Sequence, residues 1–230
     1  TKYLEDRKHK VKAVVITHGH LDHTGGVPYL MEKIGNPPLY SRALTTLLIQ
    51  KRQEEFPHLT PLDIRIIEKN DRVTMGDFKV RFFSVTHTIP DAMGVIIETP
   101  YGNIVHTGDL KLDHVDGKPT MDEEDQWDAL TGGGQKNLLL MADSTNVERP
   151  GYSFSEKTVL KNIENIIRTS EGRLIVATFA SLLERLIKII DTAEILGKKI
   201  VIDGRSMKNN IEIARESGLM KAKKETFIPI

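Results

Sequence analysis

The sequence predicts a mixed α/β chain in two parts, rich in strands before about residue 150 and alternating helix with strand after it. Three observations carry this. Short runs of Val, Ile, Leu and Phe recur between turn signals from Val11 to Ala142, as buried strands do. After Pro150-Gly151 the apolar spacing becomes helical, with strand-like runs between, as in parallel α/β units. The run Ala13-Val14-Val15-Ile16 leads through Thr17 into His18-Gly19-His20-Leu21-Asp22-His23, so a strand end delivers a dense group of metal-binding side chains. The expected domains are residues 1–150 and 151–230.

Val11 to Thr17 reads as a buried strand, and Val27 to Met31 starts a short helix after Gly25-Gly26. Leu39-Tyr40 reads as a strand. Ser41 is placed to cap a helix through Leu44, Leu47, Leu48 and Ile49. Ile64–Glu68, Asp77–Val85 and Gly94–Thr99 follow as strands. Pro100-Tyr101-Gly102-Asn103 makes a turn into a strand ending at Thr107-Gly108-Asp109. Residues 113–135 are polar and read as irregular, with Gly132-Gly133-Gly134 a flexible loop. Leu138–Ala142 is a strand ending at Asp143.

In the second part, Ser153-Phe154-Ser155-Glu156 reads as a capping box before a helix with Val159, Leu160, Ile163, Ile166 and Ile167 on one face. Leu174–Ala177 reads as a buried strand. Ser181-Leu182-Leu183-Glu184 reads as a second capping box, before a helix with Leu186, Ile189, Ile190 and Ile195 that Gly197 ends. Ile200–Ile202 is a further strand and Asn209–Glu216 a further helix.

Bulk properties narrow the function. With 230 residues the chain can build a substantial core. Lys plus Arg and Asp plus Glu are 32 each, so a polyanion would need a local basic groove. There is no cysteine, which excludes disulfides, zinc ribbons, iron–sulfur clusters and thiol catalysis. No apolar run reaches the ~18–20 residues of a membrane span, and Thr1–Lys10 is no signal peptide. A cytoplasmic protein is expected, and the chain reads as a piece of something longer.

Of eight histidines, three fall within His18 to His23. Imidazole and carboxylate donors suit zinc, manganese or iron. His18 and His20 can reach one metal from alternate positions, while Asp22 and His23 turn towards a second. Two metals ~3.5–4 Å apart can activate water and clamp a phosphoryl or carbonyl group. The glycines argue against the helical zinc-protease pattern. Two more candidates stand at strand ends, His87 after Ser84-Val85-Thr86 and Asp109 after Thr107-Gly108. His87 would complete the set of His18 and His20, and Asp109 would bridge. Taken alone, each is more often structural. Their order after the histidine run is what lifts them.

That order resembles the metallo-β-lactamase fold. Thr17 to Gly26, His87-Thr88-Ile89-Pro90-Asp91-Ala92 and His106 to Lys111 resemble the ribonuclease J family. So do Ala142-Asp143-Ser144-Thr145-Asn146, Ala177-Thr178-Phe179-Ala180-Ser181 and Gly204-Arg205-Ser206-Met207. The later motifs belong to the β-CASP domain that nucleic-acid nucleases insert. The resemblance implies an incomplete αββα sandwich with the first part of a parallel α/β β-CASP domain. It implies two Zn2+, with Mn2+ or Mg2+ as alternatives. His18, His20 and His87 would hold one, Asp22 and His23 the other, and Asp109 both. Asp22, Asp109 and Asp143 would serve catalysis, Asp143 as the acidic residue of the first β-CASP motif. Ser181 and Arg205 would lie along the RNA, although Ser181 has a plain structural use as a helix cap. His106 reads as a packed residue supporting the ligands, and His9, His58 and His114 as surface residues.

The implied activity is 5′-to-3′ exonuclease with endonuclease cleavage of single-stranded RNA, in RNA maturation and decay. The complete protein would be a homodimer or homotetramer without membrane attachment. Some of the family pattern has no counterpart here. Its first strands and an aspartate motif would precede residue 1, and no histidine follows His114 to supply its His-x-Ser-Gly-His element or last metal ligand. Leu182-Leu183-Glu184 replaces the usual asparagine and β-branched residue after Ser181. The other readings are an RNA-binding fragment without catalysis, a β-CASP nuclease acting on DNA, and a small-molecule hydrolase.

Overall fold

The computed structural model of the chain describes residues 1–131 and 134–229. Two compact units emerge, Thr1–His114 with Lys118–Arg149, and Val115–Gly117 with Pro150–Ile230.

The first unit holds two sheets. After a helical turn, α1 (Lys2–Glu5), come β1 (Val14–Val15), α2 (Leu21–Thr24), α3 (Val27–Met31), β2 (Leu39–Ser41), α4 (Ala43–Gln53) and β3 (Ile64–Ile66). Strands β1, β2 and β3 form a parallel sheet in that order. The second sheet is built from β4 (Arg72–Met75), β5 (Phe78–Ser84), β6 (Met93–Thr99), β7 (Gly102–His106) and, beyond a short β8–β9 pair (His114–Val115, Lys118–Pro119) and helix α5 (Met121–Thr131), β10 (Asn137–Met141). Its order is β10-β7-β6-β5-β4, antiparallel except that β10 runs parallel to β7.

Alternation along the strands sorts the core into layers. Val14 and Leu39 pack towards α3 and α4 with Val27, Met31, Ile34 and Ile49. Their neighbours Val15 and Tyr40 point the other way, onto Val80, Phe82, Met93 and Val95 of the second sheet. On that sheet's far face Phe83, Ile96 and Val105 pack with Leu130 of α5. The result is an αββα sandwich.

Several elements differ from expectation. Ser41 does not cap α4; it ends β2 and its hydroxyl bonds Thr46 Oγ1 at 2.7 Å. The cap comes from far along the chain, Asp91 Oδ2 accepting the Leu44 N–H at 3.0 Å. Asp91 holds φ +65°, and Arg42 approaches its other oxygen at 3.6 Å. Strand β4 was not expected. Gly76, at φ +63°, allows the tight turn that folds it onto β5. Helix α5 occupies residues expected to be irregular. Its sequence signal is Thr120-Met121-Asp122-Glu123, where Thr120 Oγ1 accepts the Glu123 N–H at 3.3 Å. Gly132 and Gly133 of the expected glycine loop lie outside the described residues.

The second unit is built on α6 (Glu156–Thr169), α7 (Leu183–Ile195) and α8 (Arg205–Glu216). Ser155 caps α6, not Ser153: its Oγ accepts the Thr158 N–H at 3.2 Å. Ser181 caps nothing, because α7 starts from Leu182 with no side-chain cap. Arg185 of α7 grips Glu156 of α6 through two hydrogen bonds, 2.8 and 3.2 Å, and Leu186 and Ile190 of α7 and Ile211 and Ala214 of α8 are buried. Ile166 and Ile195, expected on buried faces, are 54% and 73% exposed. Leu174–Ala177 and Ile200–Ile202 do not form strands. Ile175 is 86% exposed and has no ladder partner among the described residues, and Ile200 makes a single bridge, to Phe227. Helix α8 begins at Arg205, a full turn before the expected Asn209.

Candidate metal centre

The ends of three strands meet at one place in the first unit. The Ile16 N–H bonds Tyr40 O at 3.0 Å and the Thr17 carbonyl accepts the Met93 N–H at 3.0 Å, so the chain leaving β1 is held by both sheets. His18 follows at once and is fully buried. His20 occupies the N-cap position of α2, its carbonyl accepting the Thr24 N–H and hydroxyl. That puts Asp22 and His23 on the first turn of the helix. His87 comes three residues after β5 and Asp109 three after β7. Gly108 sets Asp109. It holds φ +63°, and a Cβ there would stand 3.0 Å from both the Met93 carbonyl oxygen and Thr17 Cβ.

Five of the six predicted ligands converge. His18, His20 and His87 offer nitrogens within 4.8 Å of one another, and two nitrogens of His18 and His23 lie equally close to a carboxylate oxygen of Asp109. His18 belongs to both groups. His87 Nε2 lies 3.1 Å from His20 Nδ1, and His23 Nε2 lies 3.3 Å from Asp109 Oδ2. Donor atoms on a tetrahedral zinc, with bonds of ~2.0–2.1 Å, stand about 3.3 Å apart. His18 Nε2 is a buried nitrogen with no hydrogen-bond partner among the described residues, 3.9 Å from Asp109 Oδ2. A buried polar atom left alone is costly, and a cation would satisfy it. The residues fit a metal.

Thr17 is a contributor that the sequence did not flag. Its hydroxyl lies 3.1 Å from His18 Nδ1, which fixes the ring and frees Nε2 for the cluster. The signal was there, a hydroxyl residue directly before the first ligand. Asp22 reaches less far. Its Oδ2 is 3.5 Å from His23 Nε2, but the side chain is 77% exposed and joins neither converging group. Asp143 stands behind the Asp109 turn, with Oδ2 accepting the Leu110 N–H at 3.1 Å and Oδ1 the Thr145 N–H at 2.8 Å. Burial opposes its ionisation, but these N–H donors outweigh that and hold the carboxyl below the usual range. His106 is exposed, not packed, and its Nδ1 accepts the Gly108 N–H at 2.9 Å. His9 and His58 are exposed and His114 half-buried. Ser181 and Arg205 belong to the second unit, Arg205 as the exposed first residue of α8.

The electrostatics favour neutral ligands. Burial, then the neighbouring rings of His23, His87 and His20, push His18 down to about 3. Burial and His20 also lower His87, against the pull of Asp109 and Asp143. Neutral imidazole is the form that binds metal. The same shifts predict acid sensitivity. These rings titrate lower in the folded chain than near 6.5 in the unfolded one, so the unfolded state binds more protons between those values. Stability of the metal-free protein is therefore full above about pH 6.5 and falls by a few kcal/mol as the pH drops towards 3. Urea midpoints of chelator-treated protein at pH 7.5 and 5 check this, and equal midpoints would contradict it.

Comparison with known proteins agrees with this geometry. The model for the metallo-beta-lactamase superfamily matches residues 2–138, and that for the ribonuclease J beta-CASP domain matches residues 171–230. The chain is 42% identical to "Ribonuclease J" of Thermus thermophilus, over 98% of this chain and 40% of that protein. It is 38% identical to "Ribonuclease J" of Mycoplasma pneumoniae, over 95% of this chain and 38% of that protein. The chain thus spans about 40% of the length of such relatives. A solved structure, "Protein of Unknown Function from Enterococcus faecalis V583", shares the fold at a TM-score of 0.66 and 19% identity, covering 96% of this chain and 55% of its own. With the αββα layers, the strand-end histidines and these matches together, the chain belongs to the metallo-β-lactamase superfamily, and it is similar to ribonuclease J along nearly its whole length.

Proposed function

We propose that this chain is part of a metal-dependent ribonuclease of the J type, which cleaves phosphodiesters of single-stranded RNA by hydrolysis, 5′-to-3′ from an end and also internally, in RNA maturation and decay. The observation that carries this is the convergence of four imidazoles and a carboxylate, with His18 common to both groups, in a chain similar to proteins named ribonuclease J. His18, His20 and His87 would hold one ion and His23 a second, Asp109 would serve both, and Asp22 would join the second only by turning inward from its exposed position. Zinc suits the nitrogen-rich set, with manganese or magnesium as alternatives. Bound metals would supply Lewis acidity and an activated water. The chain's own part is to keep the His18 and His87 rings neutral and to aim the cluster. Ser181 and Arg205 lie along the RNA path. The complete protein works in the cytoplasm as a homodimer or homotetramer. Among the described residues no helix is long and apolar enough to cross a membrane.

The test combines elemental analysis of the purified protein with cleavage of 5′-labelled single-stranded RNA and of DNA of the same sequence. Bound metal, with labelled mononucleotide released from RNA and blocked by chelator, is the expected result. Protein that binds no metal, or that cuts DNA and leaves RNA intact, would overturn the proposal.

A further inference from the structure

The turn that presents Asp109 is tied down by a hydroxyl with no ligand role of its own. Thr107 follows β7 and is fully buried. Its amide bonds Met141 O of β10 at 3.0 Å. Its Oγ1 stands 3.1 Å from the Asp143 amide nitrogen and 2.6 Å from the Gly108 carbonyl oxygen. The direction of both bonds is fixed by chemistry. The Asp143 N–H can only donate and the Gly108 carbonyl can only accept, so the hydroxyl accepts from one and donates to the other. On the far side of Asp109, the Leu110 N–H donates to Asp143 Oδ2 at 3.1 Å. The peptides before and after Asp109 are thus both clamped to the segment leaving β10. Asp109 Oδ2 then stands 3.3 Å from His23 Nε2 and 3.9 Å from His18 Nε2.

We infer that Thr107 is a positioning residue for the metal centre: its hydroxyl, with Asp143, latches the Gly108–Asp109–Leu110 turn and so sets the position of the Asp109 carboxylate. Thr107 transmits the register of β10 against β7 to a ligand that neither strand carries. Asp143 acts in the same latch, with both of its oxygens committed to backbone N–H groups. The inference rests on the proposed metal site, and its test separates the two.

The variants are Thr107→Val, which keeps the shape and removes the hydroxyl, and Thr107→Ser, which keeps the hydroxyl and removes the methyl. Two readouts are taken. One is zinc affinity by competition with a chromophoric chelator, together with the visible spectrum of the Co2+-loaded protein. The other is amide hydrogen exchange at Asp143 and Leu110 in metal-free protein. Thr107→Val is expected to lose ~10–100-fold in affinity for the ion that Asp109 contacts, the range for groups supporting a ligand. It should also alter the Co2+ spectrum and speed exchange at both amides, while Thr107→Ser stays near the parent. Should Thr107→Val fail to fold, Asp143→Asn removes one acceptor of the same latch and is expected to speed exchange at Leu110 or Thr145. Parent-like affinity, spectrum and exchange in Thr107→Val would overturn the latch, as would equal losses in Thr107→Ser. A parent chain that binds no metal overturns the metal site instead, and amide exchange still decides the latch.

Discussion

Alanine at His18 is expected to strip the chain of bound metal, lowering affinity by well over ~100-fold, beyond the cost typical of merely supporting residues. His18 is fully buried, and its Nε2 counts towards both converging groups. The Thr17 hydroxyl at Nδ1 keeps the ring from turning that nitrogen elsewhere. Removing the ring leaves each group a ligand short and opens a cavity at the junction of the two sheets. Asp22→Ala should do far less. Its side chain is 77% exposed and, among the described residues, its one ion-pair approach is to His23. Elemental analysis after dialysis, with isothermal titration of zinc into the chelated variants, gives the order. Asp22→Ala losing as much metal as His18→Ala would refute the central place given to His18. The variant bears on acid sensitivity too. Deleting the most perturbed ring should flatten the fall in stability of the metal-free chain below pH 6.5.

The histidine run, His87 and Asp109 were legible as candidate ligands because each follows closely on an apolar run, and strand ends are among the most local signals in a sequence. Apolar runs containing Val14-Val15, Leu39-Tyr40 and Phe82-Phe83 likewise marked strands, and in the fold the two members of each pair face opposite layers. What stayed hidden was decided across distance. The cap of α4 is supplied by Asp91, 47 positions beyond Leu44, so the nearby Ser41 looked like the better candidate and was taken up by β2. The two serine-to-glutamate patterns of the second unit gave the right helices but the wrong caps, because the chain reaches α6 through Ser155 and α7 through Leu182. Leu174–Ala177 has the composition of a buried strand, but a strand needs a neighbour, and no ladder forms there among the described residues. Asp22 was legible as a ligand type, yet the first turn of α2 points it outward. Thr107 was invisible because a threonine at a strand end is ordinary until its two partners are known.

Gly94→Ala is expected to be the most destabilising one-carbon change in the first unit, at about 1–3 kcal/mol. Gly94 lies directly opposite Phe83 in the β5–β6 ladder, and the Phe83 ring folds across it. A Cβ built on Gly94 would stand 2.1 Å from Cζ, 2.3 Å from Cε1 and 2.7 Å from Cε2 of that ring. The ring is stiff, only 2% exposed, and edge-on to Trp127 of α5 with centroids 6.1 Å apart. It has no free direction in which to yield, so either Phe83 leaves its rotamer or β5 and β6 part. Gly19→Ala is the informative contrast. Its Cβ would come just as close to a neighbour, 2.2 Å, but that neighbour is Leu48 Cδ1 at the end of a flexible side chain, which can swing aside at smaller cost. Denaturant unfolding of both chelated variants should rank Gly94→Ala well below Gly19→Ala. The double variant Phe83→Leu with Gly94→Ala should lose less than the sum of its single changes, since the smaller side chain relieves the clash. Additive losses would mean that the ring is not the obstacle. The strain would also be felt at the metal centre. Met93, beside Gly94, donates its N–H to the Thr17 carbonyl, and Thr17 holds His18. A shift of β6 therefore moves the one ring that both ligand groups share, and zinc affinity should fall together with stability in Gly94→Ala.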